Sequence, residues 1–224
     1  MTMESLPITR LTPSGAVTGA DVVALETTFR VTVEGAPAFS FTCTPENVAE
    51  MTTGALFSRG YIDAWSQVRS LEVAGTEIAV TLGAGPVEKQ PPCPPPEVDR
   101  ETIFSAVARV FGNPDTLFAR TGCAHCCALL SGGEILCAFE DIGRHNALDK
   151  AMGYALREGI PMAGCVLLTS GRISGDYMAK LLRGGFSLVV SRAAVTSEAV
   201  RLAREKGVTL YGFVRGNTAN RYTP

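Results

Sequence analysis

The sequence predicts an α/β protein with a helix-covered, mixed but mostly parallel sheet, preceded by a smaller α+β unit. From residue 98 onward, apolar runs of strand length alternate with single amphipathic helical stretches in the order α-β-β-α-β-α-β-α-β. Single helices between strands imply parallel crossovers, with ligand sites at the carboxyl ends of the strands. Ahead of that pattern, residues 21–82 pair their strands around one helix. A proline-rich linker at 83–97, GAGPVEKQPPCPPPE, separates the two.

In the N-terminal unit, residues 25–33 and 38–43 are strand-like, with Glu34-Gly35-Ala36-Pro37 as the turn. A helix opens at Thr44 or Pro45, with Thr44 as cap, and closes at Gly60. Short strands at 68–73 and 77–82 flank Ala74-Gly75-Thr76. In the linker five prolines surround Cys93, so the segment is expected to be extended and exposed. The larger unit begins with a helix at 100–111, stopped by Gly112-Asn113-Pro114, and a strand pair at 125–130 and 134–139. A helix at 146–157, a strand at 165–169, a helix at 176–182 and a strand at 187–190 follow. A helix capped by Thr196 or Ser197 runs to Gly207, and a strand at 209–214 ends the pattern.

At 224 residues, 46% hydrophobic and 19% charged, the chain suits one large domain or two small ones. A formal net charge of -2 offers no bulk attraction for nucleic acid or an acidic membrane surface. No apolar run approaches the roughly 20 residues of a membrane span. The first residues lack the basic and apolar regions of a signal peptide, so a cytoplasmic location is expected. Seven cysteines are an odd count, and in a reducing compartment they do not suggest a disulfide framework. Cys43, Cys137 and Cys165 sit in apolar runs and read as small core residues. Cys93, Cys123, Cys126 and Cys127 remain as candidates for chemistry.

Three expected strand ends finish in polar turns. The first is Glu140–Lys150, EDIGRHNALDK, which loads a helix start with Arg144, His145 and Asn146. The second is Ser170-Gly171-Arg172-Ile173-Ser174-Gly175, and the third is Arg215-Gly216-Asn217-Thr218-Ala219-Asn220-Arg221. Each supplies an arginine, small residues and hydroxyl or amide groups, the combination that suits phosphate. Three such turns at one sheet edge point to a large anionic, nucleotide-like ligand. The segment TGCAHCC admits three readings: a metal site, redox or relay thiols, or half-buried strand residues. Strand alternation would put Cys123, His125 and Cys127 on one face and Cys126 on the other. The usual second pair of metal ligands is missing, and no zinc is expected.

These motifs resemble the formate dehydrogenase accessory sulfurtransferases, the FdhD/NarQ family, from about residue 25 to the C-terminus. The strongest marker is Glu140–Lys150, supported by Arg120-Thr121-Gly122 with His125, Ser170-Gly171-Arg172-Ile173-Ser174, Gly184-Gly185, and Gly212-Phe213-Val214-Arg215-Gly216 with Asn220 and Tyr222. The resemblance implies a three-layer, cytidine-deaminase-like domain over residues 98–224. It also implies a function: taking persulfide sulfur from a cysteine desulfurase and passing it to the bis-guanine-dinucleotide molybdenum cofactor, for insertion into the formate dehydrogenase catalytic subunit. The cofactor is expected to be held partly by Phe213, Val214, Arg215, Gly216, Asn217 and Thr218, GDP-like nucleotides to mimic it, and the protein to be a homodimer. To that set the polar turns add Arg144, His145, Asn146, Arg172 and Ser174.

The family usually carries a Cys-Gly-x-Cys-Gly loop between its domains, where this chain has Pro-Pro-Cys-Pro-Pro-Pro and Cys93 alone. Cys93 is therefore the expected persulfide carrier, with Cys123, Cys126 or Cys127 as a relay. The alternative is a non-catalytic chaperone that binds the molybdopterin nucleotide and has lost sulfur transfer. Base deamination does not fit: His145 is followed by Asn146-Ala147, without the glutamate, and Ser170-Gly171-Arg172 replaces the paired thiols.

Overall fold

The computed structural model describes residues 2–85 and 94–223, so Cys93 and most of the linker lie outside the described residues. The chain opens with a feature the sequence reading lacked, an antiparallel ribbon of β1 (Met3–Thr12) and β2 (Gly15–Ala24). Neither face of the ribbon is buried along most of its length, and Leu11 is 80% exposed. Without a buried face there is no one-sided alternation to read, which is why the ribbon escaped notice. The expected domain start at residue 21 falls inside β2.

The next sheet contains β3 (Thr27–Val33), β4 (Phe39–Cys43), β5 (Val68–Ala74) and β6 (Glu77–Leu82), in the order β4-β3-β6-β5. Phe29, Val31 and Val33 alternate inward while Thr28, Arg30 and Thr32 face water, so one side of the sheet is available to pack. Helix α1 (Val48–Ser58) lies on that side. It starts later than expected, at an Asn47 cap with φ 55° and no side-chain cap bond. Thr44 does not cap it, because both its N–H and its hydroxyl donate to Asp141.

Helix α2 (Arg100–Phe111) is capped by Asp99, which accepts from the Thr102 N–H at 2.7 Å. A short helix, α3 (Leu117–Thr121), was not foreseen. Then come β7 (His125–Ser131), β8 (Glu134–Asp141), α4 (Arg144–Arg157), β9 (Val166–Thr169), α5 (Gly175–Arg183), β10 (Leu188–Ser191), α6 (Ser197–Glu205) and β11 (Thr209–Arg215). A final strand, β12 (Thr218–Arg221), occupies what the sequence presented as an open turn. It folds back on β11 through the tight Gly216-Asn217 connection, and every residue of it is exposed.

These strands form a mixed sheet in the order β12-β11-β10-β9-β7-β8. Strands β9, β10 and β11 are parallel, β7 pairs antiparallel with both β9 and β8, and β12 pairs antiparallel with β11. Strands β8 to β11 therefore run in one direction, with β7 and β12 opposed. Helix α2 covers one face, and α4, α5 and α6 cover the other, giving three layers. On the α4 side the core continues through α1 into the four-stranded sheet. Helices α1 and α4 cross at two glycines: a Cβ on Gly54 would meet the Asp149 carbonyl oxygen at 1.9 Å, and one on Gly153 the Glu50 carbonyl oxygen at 1.9 Å. Only glycine permits so close an approach of two helix backbones.

Candidate functional site at the sheet edge

The carboxyl ends of β8, β9 and β11 meet at one edge, as expected, and the end of β10 and the start of β7 join them there. Two fully buried hydroxyls shape the turns there. Thr169 accepts from the Gly171 N–H at 3.1 Å, while Ser191 donates to the Gly171 carbonyl at 2.8 Å and accepts from the Ala193 N–H at 2.9 Å. Ser170 in turn accepts from the Cys126 N–H at 2.9 Å. The turns after β9 and β10 are thus fixed to each other and to β7.

Between these turns and the end of α2 lies a cavity of about 300 Å³. Phe111 and Phe118 give it an aromatic wall, His125, Glu140 and Ser170 a polar side, and Arg192 and Arg215 two cations. Arg192 stacks on Phe111 at 5.4 Å and donates to the Phe111 carbonyl at 3.3 Å. Arg215 donates to the Arg192 carbonyl at 3.1 Å. Neither arginine has a carboxylate in ion-pair range among the described residues. Flat apolar walls with unneutralised guanidinium groups suit a planar heterocycle carrying phosphate.

Glu140 is spent locally. Its carboxylate accepts from the Leu117 N–H at 2.6 Å and the Phe118 N–H at 3.0 Å, which pins the start of α3. That contact carries Phe118 to the cavity, and it places Cys123 just past the α3 terminus at Gly122, whose φ is 69°.

Most of EDIGRHNALDK forms a buried polar frame. Asp141 and Lys150 are fully buried and lie 2.8 Å apart, with Lys150 also donating to the Thr44 hydroxyl at 2.6 Å. Asn146 donates to the Thr42 carbonyl at 2.7 Å and to Asp141 at 2.8 Å. Asp149 accepts from Ser58 and from Lys180, each at 2.6 Å. Asn146, expected to face the ligand, therefore has its amide committed to internal acceptors. His145 Nε2 lies 3.3 Å from Asp176, and its ring meets Tyr177 edge-on at 5.1 Å. Ser174 also donates to Asp176, which is the main cause of that carboxyl's lowered pKa. Burial, Lys180 and Arg144 pull the His145 pKa down more than Asp176 and Asp149 raise it.

Of the residues expected near the C-terminus, Phe213 is exposed and holds φ 52°, a rare backbone state for an aromatic residue. Val214 differs from the expectation, since its side chain is fully buried under α2. Gly216 is exposed in the turn, and Asn217 and Thr218 border a separate groove with Arg100 and Tyr211. Arg144 and Arg172 lie close enough to His125 to depress its pKa, after burial, which is the largest cause. Phe111, Phe118 and Arg192 are not among the residues expected to bind the cofactor, and His125 figures in the expectation only within a possible metal site. Arg192 carried a usable signal: Ser191-Arg192-Ala193 follows a strand as directly as the other three turns do.

The thiols separate by exposure. Cys126 lies in the core beneath α2 and Cys127 in the core beneath α4, so the two do alternate across the sheet. Burial pushes the Cys126 pKa well up and that of Cys127 to about 11, although Thr169 and Tyr177 hydrogen bonds partly oppose the Cys127 shift. Burial likewise raises Cys43 and Cys137 to about 12. Cys123 does not join the strand face expected of it; it precedes β7 and is exposed. Among the described residues, no three His, Cys, Asp or Glu side chains gather as a metal site. No described helix is long and apolar enough to cross a membrane.

Comparison with known proteins agrees with this architecture. The chain is 31% identical to a sulfur carrier protein FdhD from Geobacillus kaustophilus, over 97% of this chain and 94% of the relative. It is 33% identical to the protein of the same name from Sulfurisphaera tokodaii, over 80% of each. The crystal structure of a formate dehydrogenase accessory protein from Desulfotalea psychrophila superposes with a TM-score of 0.87 at 27% identity, covering 99% of this chain and 96% of that one. Residues 86–224 match the FdhD/NarQ family, and with relatives of this similarity spanning nearly its whole length the chain belongs to that family.

Proposed function

We propose that the chain is a sulfur carrier serving formate dehydrogenase, and that it binds the bis-guanine-dinucleotide molybdenum cofactor as its cargo at the sheet edge. The carrying observation is the aromatic cavity bearing Arg192 and Arg215, which have no acidic partner among the described residues. A nucleotide arm supplies the ring and the negative charge that such a cavity lacks.

The sulfur step assigned to Cys93 is a thiolate displacement. The Cys93 thiolate attacks the outer sulfur of the desulfurase persulfide, that S–S bond breaks, and the donor leaves as a thiolate while Cys93 holds the persulfide. Of the described thiols near the cavity, Cys123 suits a relay role. Cys126 and Cys127 are enclosed and held protonated, which makes them poor nucleophiles in this conformation. The working form is a cytoplasmic homodimer that meets a cysteine desulfurase and the formate dehydrogenase catalytic subunit. The test is formate dehydrogenase activity in a strain lacking its own accessory protein, rescued with wild type or Cys93→Ala, alongside mass analysis of Cys93 after incubation with a desulfurase. Rescue by wild type alone, with one added sulfur on Cys93, is expected.

A second reading rests on the single cysteine among five prolines: a chaperone that binds the cofactor and no longer transfers sulfur. Equal rescue by both proteins and an unmodified Cys93 would decide for it.

A further inference from the structure

We infer that the groove at the amino edge of the six-stranded sheet docks a basic segment of the protein that donates sulfur, an assignment that rests on the sulfur-carrier reading above. The groove, about 510 Å³ in volume, lies at the starts of β10 and β11. Ile103 and Leu188 line its apolar part, and Pro95, Pro96, Glu97 and Asp99 line it from the segment leading into α2. Pro95 and Pro96 have no N–H, so their backbone offers carbonyl acceptors and no donors. Glu97 and Asp99 are exposed, and neither carboxylate has an ion-pair partner among the described residues. Arg100, the next residue, lines the separate groove with Asn217 and Thr218. Ser187 is the sharper observation. Its carbonyl accepts from the Thr209 N–H at 2.8 Å, but its Oγ is buried without a hydrogen-bond partner.

A groove rich in acceptors and negative charge, with an unmatched hydroxyl, calls for an occupant rich in donors. Lysine or arginine side chains and the N–H groups of an extended chain supply them. The net charge of the whole protein is only -2, so this local cluster of carboxylates, and not the overall field, selects a basic segment. The place of the groove in the chain identifies the partner. Two residues of chain span at most about 7 Å, so a protein seated against Pro95 is brought beside Cys93. The partner required there is the one that hands sulfur to Cys93. Helix α2 keeps that partner apart from the aromatic cavity: Asp99 and Ile103 at its start line the groove, while Val110 and Phe111 at its end line the cavity. A helix of that length spans roughly 18 Å.

The experiment measures sulfur loading of the full-length protein by mass analysis, against rising concentrations of a purified cysteine desulfurase supplied with cysteine, and in parallel with inorganic polysulfide. Glu97→Lys, a charge reversal at an exposed position, should raise the half-saturating desulfurase concentration at least about tenfold and keep the thermal midpoint. Ser187→Ala should raise it by a smaller factor, about threefold. Loading by polysulfide, which needs no docking surface, should not follow these losses. Wild-type half-saturation in both variants would overturn the docking groove and leave the carrier reading intact. An equal loss with polysulfide would also overturn it, because the variants would then act on the thiol and not on docking. A change of oligomeric mass in Glu97→Lys, read by light scattering, would assign the groove to a second copy of this chain instead. No loading of the wild type by either sulfur source would overturn the carrier reading, and the docking groove with it.

Discussion

The Lys150 ammonium sits 2.8 Å from the Asp141 carboxylate where neither side chain reaches solvent, and Thr44 bridges them. The pair joins β8 and α4 to the segment entering α1, so it ties the family's marker motif to the N-terminal unit. Lys150→Met is expected to destabilise the fold by about 3–5 kcal/mol, because Asp141 would keep a buried charge with no counterion. Asp141→Asn combined with Lys150→Met should cost less than the sum of the single changes. Denaturant unfolding of the four proteins measures this, and additive losses would show that the two groups act independently.

Gly153→Ala should destabilise as well, by about 1–3 kcal/mol or more, since the added carbon would collide with the Glu50 carbonyl oxygen. Gly159→Ala provides the contrast. It has positive φ but open space around it, so its cost is conformational alone. Thermal midpoints of the two variants separate steric from conformational effects.

The left-handed backbone at Phe213 costs on the order of 1–3 kcal/mol and sits within a register break between β11 and β12. Phe213→Gly is expected to hold or raise the thermal midpoint while weakening GDP. A stability gain with unchanged GDP affinity would separate the strained residue from ligand binding.

Alkylation at neutral pH should modify Cys123 first among the six described cysteines, with Cys43, Cys126, Cys127 and Cys137 protected until unfolding. Mass spectrometry of peptides after a timed pulse of iodoacetamide reads the order. Early labelling of Cys127 would show that the α4-side core opens.

His125 and His145 both have folded pKa values below the ordinary histidine value of about 6.5. Burial is the main cause in both; Arg144 and Arg172 add to it at His125, and Lys180 and Arg144 at His145, with Asp176 and Asp149 opposing in the second case. Below about pH 6.5 the unfolded chain takes up protons that the fold refuses, so stability falls as pH drops from there toward the folded values. His125→Gln should shrink that acid loss between pH 7 and pH 5, measured by urea midpoints. An identical slope would mean that the imidazole is free to charge in the fold.

Sequence periodicity reached as far as local burial does. Most helices and strands are legible because their apolar residues recur where a core requires them, as in Phe29, Val31 and Val33 for β3 of the smaller unit or Ala147, Leu148 and Ala151 for α4 of the larger. Helix α3 was not legible, because its first N–H groups depend on Glu140, more than twenty residues later. Thr44 resembled a helix cap until its hydroxyl was found on Asp141, 97 residues away. At the site, the arginine turns could be read, but which polar groups are already spent could not. Asn146 and Arg144 are two residues apart in one motif, yet one is fully engaged and the other has an unpartnered buried Nε.

The glycine crossing of α1 and α4 leaves the protein no clamshell. With each backbone resting against the other and Asp149 joined to both Ser58 and Lys180, the four-stranded sheet cannot swing relative to the six-stranded sheet without breaking that contact. If the proposed cargo docks at the sheet edge, its capture and release fall to turns and side chains working on a stationary platform. A surface that stays put would present the same face to every protein that docks there.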